Sequence, residues 1–152
     1  MASQDDIVDV LNDLIETCKD GEFGFQTCAK HTTSPELKSV FSQRALECQN
    51  AATELAPYVL QYGGEPEDGG TASGALHRGW TAVRGSLVGF SDQAMLDECE
   101  RGEDAALARY RKALKEDELP PAIRAVIERQ SLGVQRNHDQ IKLLRDRLKA
   151  ST

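Results

Sequence analysis

The sequence predicts an all-α fold: an up-down four-helix bundle with one long crossover that carries a short extra helix. Three observations lead there. The composition is 39% hydrophobic and 28% charged but only 5% aromatic, and few aromatics with many Ala, Leu, Glu, Arg and Lys favour helix over sheet. Apolar residues recur at spacings of three and four over four long segments, the period of one helix face. The connections between those segments run short, long and short, which is the layout of a bundle with one crossover. The 152 residues are read as one domain, 1–152, long enough for a single core.

The first helix is expected over residues 3–30. Ser3 with Asp6 three positions on resembles a capping box, Asp standing in for the usual Glu. The apolar row then runs Ile7, Leu11, Leu14, Cys18, Phe25 and Ala29, interrupted by Glu22. Gly21 and Gly24 flank that carboxylate. Each weakens the helix by about 1 kcal/mol relative to Ala, and such positions permit close approach of a neighbouring helix. The second helix is expected over residues 34–62, with Ser34 as N-cap and Pro35 at the first helical position. Its buried face should hold Leu37, Phe41, Ala45, Cys48, Ala52, Leu55 and Val59, with Glu47 at one edge. Pro57 should kink it or loosen its last turns. Gly63 and Gly64 end it.

Residues 63–91 form the expected crossover, a Gly-rich loop followed by a short helix carrying Leu76, Trp80, Val83 and Leu87. The loop lacks GxxxxGK[ST] and follows no strand, so it does not read as a phosphate cradle. Ser91 caps the third helix, residues 92–117, whose inward row is Leu96, Cys99, Glu103, Ala106, Tyr110 and Ala113. The fourth helix, residues 121–148, carries Ile123, Ile127, Val134, Ile141, Leu144 and Leu148, interrupted by Gln130 and His138.

A net charge of −7 excludes a general nucleic-acid binder, which needs a basic face. No apolar run approaches the ~20 residues of a membrane span, and MASQDDIVDV lacks the pattern of a signal peptide. The expected location is cytoplasmic. The four cysteines have no CxxC pairing and read as reduced core residues.

The interruptions carry the functional question. A carboxylate on a buried stripe costs several kcal/mol unless something neutralises it. If the crossover returns the chain to its starting end, Glu22, Glu47, Glu100, Glu103, Gln135 and His138 fall within roughly 8 Å of one level. Several carboxylates with one imidazole suit iron, manganese or zinc. The competing readings are a metal-free polar network, with Glu22 and Glu103 paired to Arg44, Arg101 or His138, and rotations that leave some carboxylates at the surface. His31 and His77 read as surface residues.

VLNDLIETCKDGEFGF, YGGEPEDGGTASGALHRGW, ECERGEDAAL and the segment ending RNHDQIKLLRD together resemble the ferritin-like superfamily. The resemblance is closest to small bacterial ferritin-like four-helix-bundle proteins classed as a domain of unknown function. It implies a bundle often linked to stress responses, with a centre for one or two transition-metal ions, iron first. In metal-active ferritin-like proteins a Glu comes from the first and third helices, and ExxH from the second and often the fourth. Glu22 and Glu103 match the single-Glu positions. Glu47 matches the second-helix Glu, but Asn50 stands where its His would be. Gln135 and His138 offer QxxH in place of ExxH. Glu100 lies nearby. The ligand set is therefore incomplete for full di-iron ferroxidase or peroxide chemistry. The expected partners are a metal ion and, through the crossover helix and Trp80, a second copy of the chain; no nucleic acid and no membrane are expected.

Overall fold

The computed structural model describes residues 3–67 and 91–151. Among them are four helices: α1 (Gln4–His31), α2 (Pro35–Gln61), α3 (Asp92–Leu114) and α4 (Pro121–Ala150). The crossover helix, Trp80 and His77 lie outside the described residues. No helix among the described residues is long and apolar enough to cross a membrane.

The helix ends follow from local chemistry. The Ser3 hydroxyl accepts from the Asp6 amide while the Asp6 carboxylate accepts from the Ser3 amide, a complete capping box. Ser34 and Ser91 cap α2 and α3 through the amides of Leu37 and Ala94. The α2 helix continues through Pro57 to Gln61. Gly63 then takes φ +82, and the Gly63 and Gly64 amides bond to the carbonyls of Leu60 and Val59, which satisfies the last turn in a Schellman motif. Gly64 is also a close approach, since a Cβ there would lie 2.6 Å from Val8 of α1. The α3 helix ends three residues before the expected 117. Arg124 reaches back from α4 and donates to the carbonyls of Leu114 and Glu116, capping that end.

The α1 helix packs along α2 and against α3, and α4 packs along α3; of the helix pairs in contact, α2 and α4 are the least closely packed. The Thr32 hydroxyl, in the α1–α2 connection, donates to Asp92 Oδ1 at 2.7 Å. That contact ties the start of α3 to the α1–α2 end of the bundle, so the helices run up, down, down and up. The seven α2 positions expected inward are all buried, as are Ile7, Leu11, Leu14, Cys18, Phe25 and Ala29 of α1.

The core divides into two apolar clusters. One lies around Phe25, Cys28, Phe41, Leu96, Cys99 and Ile141, towards the α1–α2 connection. The other holds Leu11, Leu14, Leu55, Tyr110, Ile123 and Ile127. On α3 the clusters are separated at Glu103, and on α4 at His138. A polar layer therefore crosses the bundle at mid-height.

Candidate metal-binding seam and the polar layer

Glu103 is 1% exposed, and a bare carboxylate there would be strongly destabilising. The cation that meets it is Arg44 of α2. Arg44 Nε donates to Glu103 Oε1 at 3.2 Å and Nη2 to Oε2 at 3.4 Å, a two-pronged pair. The guanidinium also lies 5.7 Å from the centre of the Phe25 ring. Burial pushes the Glu103 carboxyl above its usual range, against the pull of Arg44. Arg44 sits between Phe41 and Cys48 on the buried face of α2, so its inward direction was open to a reading of helical period.

A second set of contacts links all four helices. Cys18 Sγ of α1 lies 3.3 Å from the Tyr110 hydroxyl of α3. That hydroxyl donates to Gln130 Oε1 of α4 at 2.7 Å. Gln130 Nε2 donates in turn to Glu54 of α2 at 2.8 Å. Burial pushes the Tyr110 hydroxyl well above its usual range, which keeps it protonated and a donor. These groups, with Glu47 and the Arg44–Glu103 pair, line a cleft of about 620 Å³ where α2 and α4 part. Gly21, Gly102 and Gly133 also line it. Gly21 lets α1 approach α2, since a Cβ there would lie 2.8 Å from Cys48 Sγ.

The six residues singled out from the sequence are divided between places. Glu103 and Glu47 line the central cleft. Glu22 is half-buried, with Gln26 Nε2 3.5 Å from its carboxylate; Gly21 and Phe25 take the inward directions on either side of it. Gln135 donates to Asp139 Oδ1 at 3.0 Å. Glu100 and His138 do meet, on the seam between α3 and α4, at 4.0 Å.

Asp104, which is not among the residues expected from the sequence, completes a group there. Among the described residues, Glu100, Asp104 and His138 form a set of three potential ligands whose atoms all lie within 4.8 Å of one another. Glu100 and Asp104 are four apart on α3 and so share one face, a spacing legible in the sequence. His138 Nε2 lies 2.6 Å from Asp104 Oδ1. That nitrogen is buried and makes no hydrogen bond. The other ring nitrogen, Nδ1, faces Asp139 Oδ1 at 3.5 Å. Glu100 also pairs with Arg145 of α4, whose guanidinium lies 3.1 Å from Asp146 and 4.0 Å from Asp97 as well.

These two places fit a metal differently. At the bundle centre the residues do not fit the metal that a ferritin-like fold implies, because Arg44 already supplies Glu103 with a cation. On the α3–α4 seam Glu100 likewise has Arg145 as its cation, but that pair is only partly buried, and with Asp104 and His138 it offers two carboxylates and an imidazole that suit a borderline divalent ion in place of the guanidinium.

The sequence pattern of one known family matches residues 6–116. The chain belongs to it. The family is described as a domain of unknown function, DUF2383. This DUF2383 chain also resembles a solved structure of a Dps1 point mutant from Mycobacterium smegmatis. The two share a TM-score of 0.76 at 15% identity, over 93% of this chain and 96% of that one. No curated protein matches. The DUF2383 chain is an all-α, ferritin-like four-helix bundle, and a likeness at that identity speaks to the fold alone.

Proposed function

We propose that this DUF2383 bundle binds one divalent transition-metal ion, iron(II) first among candidates and manganese or zinc after it, on the α3–α4 seam. Glu100, Asp104 and His138 would hold it. The single observation that carries the reading is the convergence of their ligand atoms within 4.8 Å. A bound ion would supply Lewis acidity and, if iron, one-electron redox chemistry. The chain's own residues do the rest. Asp139 orients the His138 ring, Gln135 holds Asp139, and Arg145 balances Glu100 when no cation is bound. The partial match to ferritin-like ligands supports binding more than ferroxidase turnover. Four free, buried cysteines suit a reducing compartment and support a cytoplasmic location.

The test is metal analysis of chelator-free protein after equilibration with Fe(II) under anaerobic conditions, and separately with Mn(II) and Zn(II). The wild type should retain close to one equivalent and His138→Ala far less. Equal retention by both proteins would sink the proposal.

A second reading is favoured by the Arg44–Glu103 pair. In it the bundle is a structural or interaction protein, and its buried polar layer sets helix register without metal. Metal retention by neither protein, with a fold that survives chelator unchanged, is the outcome it expects.

A further inference from the structure

The seam between α1 and α3 carries two thiols in contact. Cys28 projects from α1 and Cys99 from α3, both 0% exposed. The Cys99 thiol donates to Cys28 Sγ across 3.7 Å. They belong to an apolar cluster with Phe25, Phe41, Leu96 and Ile141, and the buried carboxylates of Glu98 and Glu103 also act on Cys99. The remaining thiols are placed otherwise. Cys18 faces the Tyr110 hydroxyl, and Cys48 packs against Gly21. A disulfide requires about 2.05 Å between sulfurs, so the reduced pair is about 1.7 Å short of a bond.

We propose that Cys28 and Cys99 are a two-electron modification site, at which peroxide converts the pair to an intramolecular disulfide joining α1 to α3. One sulfur attacks a peroxide oxygen, the O–O bond breaks, and a sulfenic acid and one water form. The second sulfur then attacks the sulfenic sulfur. The S–S bond forms, the S–O bond breaks, and the hydroxide leaves as a second water with the remaining thiol proton. Two thiols and one peroxide thus give one disulfide and two waters, the peroxide oxygens being reduced and the sulfurs oxidised. Full burial makes the step dependent on local opening, and burial also pushes the Cys99 thiol well above its usual range. The reaction is therefore slow at neutral pH and faster in alkali. Its product closes a loop across 71 positions, which stabilises by restricting the unfolded chain.

The experiment treats purified, reduced, full-length protein with hydrogen peroxide and maps the products by mass spectrometry without reductant. The expected product has lost two hydrogen masses and joins tryptic peptides 20–30 and 85–101. Its Tm is higher than that of the reduced protein and returns on adding dithiothreitol. The linked peptide persists in Cys18→Ala/Cys48→Ala and is absent from Cys28→Ala and from Cys99→Ala. Because the wild-type map stands without the variants, a variant that fails to fold does not remove the test. Four outcomes overturn the proposal: a bridge to Cys18 or Cys48, linkage between chains, sulfinic or sulfonic acid without a bridge, or folded protein that stays reduced while unfolded protein reacts.

Discussion

At the residue scale, Gly21 and Arg44 show how close packing and charge compete inside this bundle. Gly21→Ala gains about 1 kcal/mol of helix propensity, yet its methyl would lie 2.8 Å from Cys48 Sγ. Overpacking of a closed core costs about 1–3 kcal/mol. The expected result is a net loss in urea denaturation, reversed in Gly21→Ala/Cys48→Ala. A single variant as stable as wild type would mean that α1 and α2 separate easily. Arg44→Met leaves Glu103 buried without its cation and should cost about 3–5 kcal/mol, whereas Arg44→Met/Glu103→Leu should recover most of that loss. The pH dependence has a definite sign. Burial raises the Glu103 carboxyl above its ordinary value of 4.5, so the folded state holds this proton more tightly than the unfolded state. Its contribution to stability is fully present below 4.5 and is lost as pH rises through the raised value. Wild type should accordingly lose stability relative to Glu103→Gln as pH climbs from about 4 towards neutrality. A difference that moves the other way would show that Arg44 outweighs burial.

At the scale of elements, the α3–α4 seam holds the candidate site in a balanced state. Glu100 and Asp104 share one face of α3, while His138 and Arg145 lie two turns apart on one face of α4. Arg145 and a metal ion would compete for Glu100. Arg145→Met should therefore tighten Mn(II) or Zn(II) binding by several-fold in calorimetric titration, and Asp104→Asn should weaken it. Weaker binding in Arg145→Met would show that the guanidinium positions Glu100 instead of occupying it. The α1–α2 hairpin has a different role. Its caps, its apolar rows and its Gly21 approach make it the most closely packed helix pair of the bundle.

At the scale of the molecule, the polar layer divides one core into two apolar clusters joined through Arg44–Glu103 and the chain Cys18–Tyr110–Gln130–Glu54. A metal that binds only the folded chain raises its stability in proportion to the logarithm of concentration, by about 2.7 kcal/mol at one hundred times Kd. Scanning calorimetry with increasing Mn(II) should show a rising Tm for the wild type and none for His138→Ala. A flat response in both would support the bundle whose polar layer works without metal. The helices, their caps and the mid-height polar layer were legible in the sequence because each depends on period 3.6, on a few terminal residues and on helix length. Rotation was less legible. The rows themselves are largely buried as expected, but Gly21 turns inward beside Glu22, which sits at the edge, and Asp104 meets His138 while Glu103 meets Arg44.

By itself the sequence determined that four amphipathic helices would bury one stripe each and that charges would interrupt those stripes at a common level. Only the tertiary structure decided how those charges are neutralised. Burial obliges Glu103 to find a cation, but which cation reaches it depends on the rotation and spacing of α2 against α3. There the guanidinium of Arg44 takes that place, and the candidate metal ligands gather instead on the α3–α4 seam, where the His138 nitrogen is buried without a hydrogen bond.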